Sequence, residues 1–451
     1  MFEIDKGFDI VIGNPPYGGK IDKAEKEYYL KVYKHQDYQL DTYLLFIERG
    51  LNLLKDGYVV AFIVPNTWLT NLKLKKFRKY IIESNTIHNI THYHKNVFDA
   101  VVDTEVIFLK KGKTKNHKTK VVEVDSNLTH TVNFYLQSKW QSLNGNPINV
   151  FIDEATENVL TQIKRDSKEL EKLCEVSNGI KSYEVGKGNP PQTQKMVKER
   201  VYDAQKKIDR TYRKLLRGKD IEKYVTKWDG CRWIKYGDNL AAHRKKEIFY
   251  ASEKIVIRQT SDCLIATLDQ EQFICMNNMH VVNAKGDNYD LKYILALINS
   301  HLMDFYYQSL NPEKGEVLAE VKKKNVEKLL VKEIDKKKQL PFISLVDFLL
   351  HIKSNEYVGE SEKLILYEWF EQVLNGCVYE LYFGEEMKKA GVDILALVEK
   401  DLESVKKLNP EKAIAKLYEK WQEPKNEVRN RLLLMATRCP DTIGVIEASV
   451  S

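Results

Sequence analysis

The sequence contains no C-x-x-C pair. Its six cysteines, Cys174, Cys231, Cys263, Cys275, Cys377 and Cys439, are scattered over 451 residues. That spacing argues against a zinc site, and the low density argues for a reducing compartment, the cytoplasm. The N-terminus lacks a basic segment followed by an apolar stretch, so no secretory leader is expected. No apolar run is long enough to span a bilayer. Internal repeats and long low-complexity segments are also missing.

What is present is material for ordinary cores under a charged surface. Hydrophobic residues make up 43% and charged residues 30%. The length predicts two or three domains. The net charge is +7, with Tyr 25 and Phe 16. Basic residues interleaved with aromatics suit nucleic acid, because charge follows phosphates and rings stack on bases. Ordinary surface lysines and core tyrosines would give the same totals.

Periodicity supplies the first outline. FDIVIG (8–13) and YVVAFIVP (58–65) read as buried strands, and DTYLLFIERGLNLLKDG (41–57) and NLKLKKFRKYIIESN (71–85) as helices. IHNITHY (87–93) and TEVIFLKKG (104–112) are strand-like, while 20–40 reads as a loop. This alternation predicts a parallel α/β sheet with an antiparallel strand at one edge. After Lys120 the pattern changes. Residues 155–177 look helical, short strands follow to 290, 290–310 reads as one amphipathic helix, and 341–437 is mostly helical. Expected domain ranges are 1–120, 121–335 and 336–451.

Residues 8–19, FDIVIGNPPYGG, break the pattern. The turn after a strand's C-terminal end is where α/β sheets hold ligands. Pro15 and Pro16 stiffen that turn. Pro15 keeps a carbonyl, Asn14 adds an amide oxygen and Tyr17 a flat ring. Two acceptors and a stacking platform fit a planar group bearing an NH₂, such as adenine. Acceptors aimed at both amine hydrogens localise the nitrogen lone pair, which prepares it to attack an electrophilic methyl group. A base in duplex DNA reaches such a pocket only when flipped out.

Asn14-Pro15-Pro16-Tyr17 after an apolar strand resembles the catalytic motif of amino-group methyltransferases. The wider run FDIVIGNPPYG … LFIERGLNLLKDGYVVAFIVPNTWL … RKYIIE … VFDAVVDTEVIFLKKG resembles the N6-adenine DNA methyltransferases of the TaqI-like and type IIG restriction–modification family. LLRGKDIEKY (215–224) and LKYILALINSHLMDFYY (291–307) are similar to that family's target-recognition domain, and LNGCVYELYFG (374–384) to the helical tail of its large members. The resemblance implies a class I methyltransferase sheet, an α+β recognition domain and a helical C-terminal region. It implies site-specific DNA adenine methylation, S-adenosylmethionine as cofactor and double-stranded DNA as partner. It also implies that Phe108 is a second ring sandwiching the base; a core phenylalanine is the competing reading.

The sequence carries its own control. Gly188-Asn189-Pro190-Pro191-Gln192 repeats Gly-Asn-Pro-Pro without the aromatic or the preceding strand, and reads as a plain turn. Pro65-Asn66-Thr67-Trp68 ends the second strand on the same rim as Asn14, as a substrate loop or, the preferred reading, a structural turn. His88, His92 and His94 alternate, a spacing that could bind metal but that an exposed strand face explains better. Asp9 and Asp41 have no visible partner. Lys73, Lys75, Lys76, Arg78 and Lys79 crowd one helix, as a solvated face or a phosphate contact. Lys181, Arg217, Arg244 and Arg258 are candidates for DNA contact. No metal site and no nuclease centre stands out.

One expected part is missing. Such enzymes hold the cofactor at a glycine-rich loop after the sheet's first strand, and in this family's order that half precedes the Asn-Pro-Pro-Tyr motif. Only thirteen residues precede it here. VGKGNP (185–190) and YFGEE (382–386) are weak substitutes. The chain therefore reads as the catalytic-loop and recognition part of a methyltransferase without its cofactor-binding half: a fragment, a split-gene product with a partner chain, or a remnant. Two other functions stay open. One is a non-catalytic DNA-specificity module; the other is methylation of a protein glutamine by the same NH₂ chemistry.

Overall fold

The computed structural model describes residues 7–19, 21–36, 40–93, 104–124, 128–142, 145–150, 153–310, 319–355 and 359–450. They form two compact units, 1–153 and 154–451. The first holds β1 (Phe8–Gly13), α1 (Lys23–Val32), α2 (Thr42–Leu53), β2 (Leu54–Pro65), α3 (Lys75–Ser84), β3 (Asn85–Tyr93), β4 (Thr104–Lys111), β5 (Lys118–Val124), β6 (His130–Leu136) and α4 (Gln137–Ser142).

The six strands form one mixed sheet in the order β1-β2-β4-β3-β5-β6. β1 runs parallel to β2, and β3 parallel to β5. β4 is antiparallel to both its neighbours, β2 and β3. An antiparallel strand does stand at one edge, but it is β6, paired with β5, and β4, the strand expected there, lies inside the sheet. β3 returns from α3 one position further out, and β4 fills the gap between β2 and β3. The expected boundary at 120 falls inside β5, because β5 and β6 extend the same sheet.

One sheet face makes the core. Val60, Phe62, Val64, Ile87, Ile90, Ile107, Leu109 and Val121 pack against Leu44, Ile47 and Leu51 of α2 and Phe77, Ile81 and Ile82 of α3. Gly50 lets α2 sit close. A Cβ there would lie 3.0 Å from Val60 Cγ2 and 3.1 Å from Phe62 Cζ. The segment 20–40 is not only loop: α1 starts from a capping box in which Asp22 accepts from Glu25 N and Glu25 accepts from Asp22 N.

The second unit has two four-stranded sheets and a helical C-terminal part. One sheet places Ala266–Asp269, Lys254–Arg258, Met279–Ala284 and Cys174–Asn178 side by side. The other places Ile274–Cys275, Tyr212–Leu216, Trp233–Lys235 and Asp203–Ala204 in order. From Lys336 onward the chain is mainly helical, including a long helix, Glu360–Ala390. Two expected helices are broken. Residues 155–177 become a helix to Lys164, then short strand, short helix and strand. Residues 290–310 become Leu291–Ile298 and His301–Leu310. At that break the Asn299 side chain accepts from Ala266 N and donates to Ala266 O, both at 3.0 Å. Among the described residues no helix is long and apolar enough to cross a membrane.

Candidate active site

Asn14-Pro15-Pro16-Tyr17 leaves the C-terminal end of β1, level with the end of β2. Pro15 is buried, while Asn14, Pro16 and Tyr17 are exposed, Tyr17 by 38%. The start of α2 holds the corner. Thr42 Oγ1 donates to the Pro16 carbonyl at 2.5 Å, and Gly18 N donates to Asp41 Oδ1 at 3.1 Å. Asp41 thus has a partner that the sequence did not reveal, because the contact closes a loop of more than twenty residues. Asp9 likewise pairs with Lys55 at 3.0 Å. Two prolines and two anchoring bonds fix the turn, and its amide and ring face solvent.

Phe108 lies in β4, 37% exposed. Register places it level with Ala61 and Ile12, on the face opposite the core. That is two positions short of Asn14, on the sheet and not on its rim. Pro65-Asn66-Thr67-Trp68 is tied inward. Trp68 is buried, and Thr67 Oγ1 lies 3.1 Å from the Tyr43 hydroxyl. Trp68 Nε1 donates to Glu105 Oε1 at 2.5 Å. Glu105, which no sequence pattern singles out, is wholly buried, and burial holds its carboxyl well above the usual carboxylate range.

His88 and His92 do not share an exposed face. A bulge between Ile87 and Asn89 breaks the alternation, leaving His88 exposed and His92 buried. His94 lies outside the described residues. Among the described residues no group of three His, Cys, Asp or Glu side chains is placed to hold a metal ion. Arg78 is no phosphate contact either. Its guanidinium is buried and donates to the carbonyls of Trp68, Asn71, Gly145 and Asn146 at 2.5–3.3 Å, and burial lowers its pKa to about 10.

The candidate DNA-contacting residues surround one loop, Cys275–Met279. Gly179 N donates to Met279 O, and a Cβ on Gly179 would meet Met276 O at 2.0 Å, so only glycine fits there. Arg244 Nε donates to Gly179 O at 3.2 Å, and Lys181 pairs through its backbone with Ala242. On the loop's other side, Gly218, next in sequence to Arg217, donates its N–H to Asn278 Oδ1 at 3.3 Å, and a Cβ there would lie 3.3 Å from Arg258 Cγ. Lys181 Nζ also binds Glu184 at 2.7 Å, and Arg258 Nε donates to Thr260 O at 2.9 Å.

Neither glycine pattern weighed for S-adenosylmethionine makes a cradle. Residues 185–191 are turns of the second unit, and Gly384 is inside the helix Glu360–Ala390. Neither follows a strand into a helix N-terminus, so neither fits the cofactor. The second Gly-Asn-Pro-Pro copy is a turn whose Gln192 amide is buried, donating to Ser182 O and Asn239 O.

Residues 1–98 match the Eco57I restriction-modification methylase model, and 213–331 match the TaqI-like C-terminal specificity domain. RM.MjaORFECS2P of Methanocaldococcus jannaschii, assigned to the type II restriction enzymes and methyltransferases, is 23% identical over 85% of this chain and 32% of its own length. The type II restriction enzyme and methyltransferase RM.Eco57I of Escherichia coli is 25% identical over 39% of this chain and 19% of its own. The chain thus spans a third or less of these relatives. The type IIL enzyme MmeI, solved with DNA, superposes with a TM-score of 0.49 at 13% identity, over 96% of this chain and 57% of that one. At that level the superposition carries no functional weight. By its two domain matches and its relatives, the chain is a homologue of the type II restriction enzyme/methyltransferases, carrying an Eco57I-type methylase region and a TaqI-like specificity domain.

Proposed function

We propose that the chain is the catalytic-corner and recognition part of a site-specific adenine-N6 DNA methyltransferase of a restriction–modification system. One observation carries this reading. Asn14 and Tyr17 stand exposed on a turn that α2 and two prolines hold still at the end of a parallel strand. In that role the Asn14 amide oxygen and the Pro15 carbonyl accept from the two hydrogens of a flipped adenine's amine. They draw the nitrogen toward tetrahedral geometry, and Tyr17 stacks on the ring. Phe108 is the proposed second ring. Arg217, Arg244, Arg258 and Lys181 are the proposed DNA contacts; the three arginines lie within the specificity-domain match. S-adenosylmethionine would supply an electrophilic methyl group, held by residues outside those described.

The test expresses the full chain from its genomic locus, neighbouring genes included, in a host free of adenine methylation. N6-methyladenine in host DNA is then counted by mass spectrometry. Wild type is expected to methylate, and Asn14→Ala to lose about 10²-fold or more. Because Asn14 is exposed, Tm should move by no more than about 2 °C. Equal methylation by Asn14→Ala sinks the reading. If wild type does not methylate but binds duplex DNA in a salt-sensitive way, the specificity-module reading takes over. The poor fit of both glycine patterns to a cofactor is what keeps that second reading in view.

A further inference from the structure

Residues 195–219 carry an excess of positive charge that their own acids do not cancel. The segment holds three acids, and each is engaged. Glu199 lies 4.0 Å from Lys195, Asp203 binds Arg200 Nε at 2.7 Å, and Asp209 Oδ1 accepts from both Thr211 N and Thr211 Oγ1 at 2.6 Å. Several cations are held as well. Arg200 stacks on Tyr183 at 4.8 Å, and Arg213 Nε donates to the Tyr250 hydroxyl at 3.0 Å. Lys214 lies 5.2 Å from the Trp228 ring and pairs with Glu271.

Lys206, Lys207 and Arg210 differ. They stand on the loop 205–211, every residue of which is exposed. Among the described residues none of the three side chains forms a hydrogen bond or an ion pair. The loop joins the strands Asp203–Ala204 and Tyr212–Leu216, which both run antiparallel to Trp233–Lys235 between them. The chain leaving Ala204 must therefore return past that strand to reach Tyr212. Lys235, in register with Tyr212, adds a further exposed cation at this end. The return is fixed by the Asp209–Thr211 bonds and by Arg213 Nη1, which donates to Arg210 O at 2.5 Å.

Like charges crowded on a fixed turn repel one another, and a polyanion relieves that repulsion. A lysine ammonium is a point charge that suits a phosphate, whereas base edges call for planar, bidentate groups. The strand Tyr212–Leu216 leads from the loop to Arg217. At about 3.3 Å per residue the two basic places lie roughly 15–20 Å apart. One duplex, with a helical turn of about 34 Å, spans both. The loop lies outside both matched ranges, 1–98 and 213–331.

We infer that the loop 205–211 is a second duplex-DNA contact, in which Lys206, Lys207 and Arg210 neutralise phosphates and add affinity without reading sequence. The inference rests on the DNA reading above and adds to it a surface that the specificity-domain match does not contain.

The experiment follows binding of the purified full chain to a random-sequence duplex of two or more helical turns, by fluorescence anisotropy between about 50 and 200 mM salt. Replacing Lys206, Lys207 and Arg210 together with alanine should flatten the plot of log binding constant against log salt by roughly 2.7, and weaken binding about 10-fold or more at the lower salt. The Tm should stay in place, because the three residues are exposed. Lys206→Arg with Lys207→Arg keeps the charge and should keep the wild-type slope. Lys412→Ala with Lys416→Ala and Lys425→Ala makes the same change in net charge at exposed positions of the helical end, and should move the slope by less than about 1. An unchanged slope in the loop variant overturns the inference and leaves the DNA reading standing. So does an equal fall in the helical-end variant, which would put net charge alone at work. A wild-type chain without salt-sensitive duplex binding overturns the inference and the DNA reading together.

Discussion

Glu105 is a carboxyl placed where no charge can be solvated. Its one described donor is the Trp68 indole, and Oε2 has no hydrogen-bond partner among the described residues. Burial raises its pKa in the folded state well above the usual carboxylate value of 4.5. The native state therefore binds a proton that the unfolded chain releases. Stability from this group is full below about pH 4.5 and is lost as pH rises toward the folded pKa. Glu105→Gln keeps an acceptor for Trp68 and cannot ionise. Thermal melts from pH 5 to 9 should show wild type falling relative to Glu105→Gln; parallel curves would mean the carboxyl is not held neutral. Residue scale is also where the sequence misled most. Arg78 belongs to a run of basic residues, and only the fold shows that one member of the run turns inward to four carbonyls. His92 differs from His88 because a bulge, which has no sequence signature here, inserts one residue between them. The rigid corner at Asn14 was legible because two prolines between an amide and an aromatic ring stand out in consecutive positions. Its anchors, Asp41 and Thr42, were not, since nothing local links them to it.

Elements were legible where one period dominated. β1, β2, β4 and α3 lie close to their expected ranges. α1 was missed because it buries no side chain and so has no apolar stripe, although Asp22 and Glu25 gave a capping signal. The apolar period over 290–310 concealed the opposite error. It persists through a break that one polar side chain makes. Asn299 satisfies both the N–H and the C=O of Ala266, and its own carbonyl accepts from Lys223 Nζ at 2.9 Å. Removing the amide strands the buried Ala266 N–H, while Ala266 O keeps the Tyr224 N–H at 3.0 Å. Asn299→Ala should therefore cost about 1–3 kcal/mol in urea denaturation. A cost below about 1 kcal/mol would show that the helices, not the amide, set the break.

At the scale of the whole molecule, the net charge of +7 is not spread evenly in its effect. Many lysines are spent on local ion pairs, while Arg217, Lys181, Arg244 and Arg258 gather around one loop of the second unit. If Arg217 and Arg258 each neutralise a phosphate, replacing both with alanine should flatten the plot of log binding constant against log salt by roughly 1.8 for duplex DNA. An unchanged slope would remove both from the interface. The broad plan, an α/β unit, short strands and a helical end, could be read from the sequence because each part differs in period. The order of strands could not. Placing β4 between β2 and β3 depends on how α3 packs, which is a contact between distant residues.

Gly50 sets a dimension that reaches beyond its own helix. The missing methyl group fixes how low α2 rides over Val60 and Phe62, and the first turn of α2 carries the two side chains that clamp residues 16 and 18. The height of the Asn14–Tyr17 corner above the strands is thus gauged by a side chain that is not there. A single carbon added at position 50 would tilt the clamp without touching any residue of that corner.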